Sequence, residues 1–179
     1  QYAPMPGVPA LMKSIAKVVH QTYQRPTDFE KEVTITAGGT EAIFSTVAGL
    51  VNSGDEVILF DPSYDSYDPA IRLNGGVPIQ INMPPPYFAI NWQEVRDKIT
   101  ARTRMIIINT PHNPTGAVLA GSDLKTLEEI ALKHGLIVLS DEVYERLVFD
   151  NIAHQSVLKY PALASQSIAV FSFGKTFHA

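Results

Sequence analysis

The sequence predicts an α/β fold with a mainly parallel sheet and helices on both faces. Three observations carry this. Short apolar, β-branched runs recur along the 179 residues at roughly regular spacing. Amphipathic stretches at helical spacing lie between them. Polar, non-periodic clusters follow the carboxyl ends of the apolar runs, where open α/β sheets bind their ligands.

Val33–Thr36 is the first predicted strand. From Gly39 to Val51 a helix is predicted, with Ile43, Val47 and Leu50 recurring at helical spacing. Glu56–Phe60 is the second strand, Tyr67–Leu73 a short helix and Pro78–Ile81 the third strand. Pro84-Pro85-Pro86 reads as a stiff surface connection. Trp92–Ile99 is a helix with Trp92, Val95 and Ile99 on one face. Arg104–Ile108 is apolar after its first residue, as a strand covered on both faces of a parallel sheet must be. Ser122 is expected to cap a helix that runs to about Lys133 and stops at Gly135. Leu136–Ser140 and Ile168–Ser172 are the last two strands.

Composition narrows the function classes. Hydrophobic residues make up 45% and charged residues 18%, the balance of an ordinary globular domain. A net charge of −4 argues against a surface built for nucleic acid. No apolar run approaches the roughly 18–20 residues that span a bilayer, and no signal-peptide pattern opens the chain. Zero cysteines exclude disulfides and thiolate metal sites. A cytoplasmic enzyme is expected. The chain opens on Gln1 without an initiator Met and stops at Ala179 just after a predicted strand, so a fragment of a longer chain is also expected.

Five polar clusters carry the chemistry. In Thr36-Ala37-Gly38-Gly39-Thr40-Glu41, glycines precede a helix start, whose free N–H groups suit an anion such as phosphate. A plain tight turn explains this cluster equally well when it is taken alone, and the dinucleotide pattern G-x-G-x-x-G is absent. Asp61-Pro62-Ser63-Tyr64-Asp65-Ser66-Tyr67 offers Tyr64 to stack on a flat ring, while one of Tyr64 and Tyr67 is expected to be core. Asn109 to Gly116 is a proline-locked turn in which Asn113 suits one polar atom of such a ring. His112 in that turn has no visible partner and is expected to be structural or to support the site residues around it. In Ser140-Asp141-Glu142-Val143-Tyr144, a carboxylate at the end of a buried strand needs a cation, which a protonated ring nitrogen supplies. A helix cap is the alternative for Asp141. Tyr144 is placed to hydrogen-bond a ring oxygen, and Glu142 is taken as solvated or structural. In Ser172-Phe173-Gly174-Lys175-Thr176, Gly-Lys-Thr invites a nucleotide-triphosphate loop. That loop needs glycine where Ala169 stands, so the nucleotide reading fails. What remains at Lys175 is an amine that a closed site can turn into a nucleophile.

The segments at 36–42, 61–67, 109–116, 140–144 and 172–176 resemble, in order and spacing, the class I/II aminotransferases of fold type I. They lie across nearly the whole chain, and their wording is most similar to the methionine and kynurenine/glutamine aminotransferase branch. The resemblance implies pyridoxal 5′-phosphate (PLP) as cofactor, bound covalently by Lys175, which then also moves a proton during transfer of an amino group. It implies Asp141 at the ring nitrogen, Tyr144 and Asn113 at the ring oxygen, and Tyr64 against the ring face. It implies Gly39, Thr40 and Ser172 around the phosphate, joined by Tyr2 from the other subunit of a homodimer. The implied substrates are a methionine-like or aromatic amino acid and a 2-oxo acid. The implied domain is a partial cofactor-binding large domain over residues 1–179. The arginine that binds the substrate carboxylate, and one antiparallel strand of the sheet, would lie beyond Ala179. Residues 1–179 alone are therefore expected not to transaminate, and a turnover assay on them checks this. A lyase or synthase of the same fold shares Lys175 and Asp141 and stays open. So do a PLP-binding domain of a transcription regulator and a degenerate scaffold that binds no cofactor.

Overall fold

The computed structural model describes residues 4–178. Five parallel strands form one sheet in the order β2-β1-β3-β4-β5. They are β1 (Glu56–Asp61), β2 (Val77–Asn82), β3 (Thr103–Asn109), β4 (Ile137–Asp141) and β5 (Ser167–Val170). The helices are α1 (Pro9–Tyr23), α2 (Phe29–Glu32), α3 (Gly39–Leu50), α4 (Tyr67–Leu73), α5 (Trp92–Lys98), α6 (Gly121–His134), α7 (Pro161–Ala164) and α8 (Phe173–Phe177).

Strand side chains alternate between faces, and the two hydrophobic cores follow that alternation. Ile58, Phe60, Ile106, Ile108 and Val138 pack with Val95 of α5, with Leu124, Leu127 and Ile130 of α6, and with Leu163 of α7. Their neighbours Val57, Leu59, Met105, Ile107 and Leu139 pack on the opposite face with Ile43 and Val47 of α3 and Ala70 and Ile71 of α4. The prediction of a mainly parallel sheet covered on both faces is therefore met.

Two local expectations need correction. Val33–Thr36 joins no sheet. Among the described residues its backbone meets the Pro6 carbonyl, which accepts from the Ile35 N–H at 2.8 Å, and extended residues with no neighbouring strand cannot build a ladder. Ser122 does not cap α6. The helix begins two residues earlier than that cap implies, with Ala120 as its N-cap, and the Asp123 carboxylate accepts from the Ala120 N–H at 2.8 Å. One helix was not predicted at all: α1, whose buried residues Met12, Val19 and Tyr23 recur near helical spacing after Pro9 at its first position. That pattern precedes the strand–helix alternation, so the alternation by itself does not reveal the helix.

Glu142, expected to be solvated or structural, is fully buried. Its Oε1 accepts from Ser140 Oγ at 2.8 Å and from the Val157 N–H at 3.1 Å, and its Oε2 lies 2.8 Å from His154 Nε2. These contacts pin the segment after β4 beneath the sheet. Glu142→Ala leaves the buried Ser140 hydroxyl and Val157 N–H without an acceptor and removes the partner of His154. It is expected to destabilise the protein by about 3 kcal/mol or more, read as a lower urea midpoint, with a smaller loss for Glu142→Gln.

Candidate active site

The carboxyl ends of β3, β4 and β5 and the start of α3 surround one open pocket of about 120 Å³. It is lined by Gly39, Thr40, Tyr64, Asn113, Asp141, Tyr144, Ser172 and Lys175, together with Ile43 and Val143. Eight of the nine residues singled out from the sequence thus meet around one space, although they come from five separated segments. The ninth, Tyr2, lies outside the described residues.

Strand alternation decides the different fates of two adjacent acids. Asp141 is on the face of β4 that Leu139 shares, toward α3 and α4. Glu142, one residue on, turns to the opposite face and meets Val157 and His154. Asp141 is 3% exposed, and burial raises its pKa above the ordinary carboxylate value. Two donors oppose that shift: the Tyr67 hydroxyl at 2.5 Å to Oδ2 and the Val143 N–H at 3.2 Å to Oδ1. A carboxylate has about four lone-pair positions, so Asp141 keeps capacity for a further N–H donor from the pocket.

The start of α3 depends on two glycines. Gly38 holds φ at +149°, a conformation that side chains oppose, and it gives the helix no side-chain cap. A Cβ at Gly39 would lie 3.2 Å from Val143 Cγ1, so glycine lets the helix start close against the end of β4. The uncapped turn leaves N–H groups at the pocket for an anion. Thr40 Oγ1 sits 3.3 Å from the Tyr64 hydroxyl.

Asn113 is held by Asn109, the last residue of β3 and the register partner of Asp141. Asn109 Oδ1 accepts from the Asn113 N–H at 2.6 Å, and Asn109 Nδ2 donates to the Asp141 carbonyl at 2.9 Å. Lys175 lies on α8, one short helix past β5, and its Nζ stands 5.5 Å from the centre of the Tyr144 ring. His112 is buried outside this pocket, with Nδ1 2.8 Å from Thr115 Oγ1, and burial lowers its pKa. Its structural reading holds. Among the described residues no cluster of His, Asp and Glu suits a metal ion.

Sequence reasoning missed two contributors. Tyr67 is the core tyrosine of its pair at 3% exposure, but its hydroxyl also reaches Asp141. The sequence carried no signal for that contact, since Tyr64 precedes α4 and shares no helix face with Tyr67. Asn109 reads in the sequence only as the start of a turn.

The ordered motifs and this geometry match a known family. The family described as aminotransferase class I and II matches residues 1–179. The chain belongs to the class I and II aminotransferases. Its relatives in the family include the methionine aminotransferase of Escherichia coli, 47% identical over 178 residues, with 99% of this chain and 46% of that protein covered. The human kynurenine–oxoglutarate transaminase 3 is 35% identical, with 99% of this chain and 41% of that protein covered. A solved structure of the E. coli methionine aminotransferase superposes with a TM-score of 0.97 at 47% identity, over 99% of this chain and 47% of that one. An aspartate aminotransferase variant from Thermus thermophilus gives 0.94 at 32% identity, over 99% of this chain and 46% of that one. The chain thus spans about half the length of the aminotransferases it matches. Among the described residues no helix is long and apolar enough to cross a membrane.

Proposed function

We propose that the protein carrying this chain is a PLP-dependent aminotransferase. It moves an amino group between an L-amino acid, methionine-like or aromatic, and a 2-oxo acid. The convergence of Lys175, Asp141, Asn113, Tyr144 and the α3 start on one pocket is the observation that carries this reading. The donor set suits the cofactor: an uncapped helix start for phosphate, a buried carboxylate with spare acceptor capacity, and an amine on the pocket wall.

When bound, PLP supplies an electron sink that makes the bond from Cα to hydrogen of an amino acid acidic. The chain's own groups do the rest. Lys175 Nζ supplies the amine that holds the cofactor, and afterwards takes or returns a proton. Asp141 keeps a ring nitrogen protonated. Asn113 and Tyr144 donate to the ring oxygen, and Tyr64 covers the ring face. The N–H groups at Gly39 and Thr40, with Ser172, hold the phosphate. Tyr2 of a second subunit completes the phosphate site, so the working form is a homodimer in the cytoplasm. Residues 1–179 act as part of the cofactor-binding large domain, and a small domain beyond them supplies the arginine for the substrate carboxylate.

The test is a panel of half-reactions in the full-length protein. Methionine and aromatic amino acids should bleach the visible absorption of the loaded protein and release the matching 2-oxo acid. Elimination products in place of 2-oxo acids would sink transamination. A preference for dicarboxylic amino acids would sink the choice of donor.

A further inference from the structure

We propose that Tyr67 is a positioning residue that acts through Asp141, its hydroxyl keeping that buried carboxylate ionised and aimed into the pocket. The inference rests on the PLP reading, and it adds a residue that the reading does not need.

A charge at Asp141 is costly. The carboxylate is almost wholly removed from water, which favours its neutral form. Among the described residues no Lys, Arg or His side chain pairs with it. The compensation within the chain is two hydrogen bonds, and the shorter by far is the one from Tyr67. Both bonds go to the charged acceptor, and the shorter O–H···O⁻ bond from Tyr67 supplies the larger share.

Tyr67 is built to stay in this role. It is the first residue of α4 and packs in the core beside Leu59, Ala70 and Ile71. Its ring meets Tyr64 edge-on with centroids 5.6 Å apart. Burial, and then the negative charge of Asp141, push its pKa well above the usual phenol range, so it stays a donor at every working pH. Of the other titratable groups nearby, Glu142 faces away beneath the sheet, while Tyr64, Tyr144 and Lys175 line the same pocket.

The consequence concerns where one proton sits. With Asp141 held as a carboxylate, the proton between it and the cofactor's ring nitrogen stays on the nitrogen, where it is needed for the electron sink. Without the Tyr67 hydroxyl, the proton shifts toward Asp141. Tyr67→Phe removes the hydroxyl and keeps the ring that packs on Tyr64.

The experiment loads the full-length protein with PLP labelled with ¹⁵N at the ring and reads the nitrogen by NMR. The wild type should show a protonated nitrogen at neutral pH, and Tyr67→Phe should move the signal toward the unprotonated position. In the same variant kcat should fall roughly 10–100-fold, the worth of one hydrogen bond to a charged group, with the KM for the amino acid little changed. In an Asp141→Asn background, Tyr67→Phe should add no further loss. An unmoved nitrogen signal in Tyr67→Phe overturns the inference, as does an equal loss of kcat in the Asp141→Asn background. A wild type that takes up no PLP at Lys175 overturns the cofactor reading itself.

Discussion

Lys175→Ala in the full-length protein is expected to lower kcat for transamination by at least about 10³-fold, within the range lost when a group that both attaches to the reacting system and moves its proton is removed. The fold should not notice. Lys175 is exposed, and its contact is the Tyr144 ring at 5.5 Å, an interaction worth about 0.5–1 kcal/mol at an exposed site. Activity and unfolding midpoint should therefore separate cleanly. A variant that loses both together would mean that Lys175 holds structure rather than chemistry. PLP should still bind the variant through the α3 start and Asp141, more weakly and without covalent attachment. Equilibrium binding and mass spectrometry read these two properties independently.

Asp141→Asn is expected to show the opposite relation between function and stability. Activity should fall by roughly 10²–10⁴-fold, because an amide cannot keep a ring nitrogen protonated. The stability of the cofactor-free protein at neutral pH should hold or rise. Burial raises the folded-state pKa of Asp141 above its unfolded value. Its contribution to stability is then fully present below the unfolded pKa and is lost as pH rises through the folded pKa. At neutral pH the wild type carries that loss, and the neutral amide does not. Urea titrations at acid and neutral pH should show the gap between the Asp141→Asn variant and the wild type closing as pH falls. A gap that widens toward acid pH would mean that the Asp141 carboxylate stabilises the cofactor-free fold.

Much of the site was legible in the sequence because chemistry in an open parallel sheet collects at strand ends. Asp141 follows Ile137–Ser140 directly, and Asn109 follows Met105–Ile108, so the apolar runs themselves point to the polar residues after them. Gly38 and Gly39 were legible because glycine before a helical pattern signals close backbone approach. The missing glycine at position 169 was equally informative, since it removed the nucleotide loop.

What stayed hidden depended on orientation across the fold. Asp141 and Glu142 are neighbours of the same charge type, and only strand alternation against packed helices sends one into the pocket and the other beneath the sheet. Tyr64 and Tyr67 posed a similar choice. The expectation that one is core was right for Tyr67, yet a core position does not forbid a hydroxyl from serving a buried acid. Val33–Thr36 has the residues of a strand, but strand formation needs a partner ladder, and β-branched composition cannot reveal whether one is present. The cap of α6 was misplaced by two residues: the helix is capped at Ala120, whose N–H donates back to the Asp123 carboxylate, and Ser122 lies inside the first turn.

The most direct measurement adds PLP to the full-length protein, reduces it with borohydride, and maps the label by digestion and mass spectrometry. The expected result is one labelled peptide carrying the modification at Lys175, absent from Lys175→Ala. Label scattered over exposed lysines such as Lys13 and Lys17, with Lys175 unmodified, would contradict the assignment.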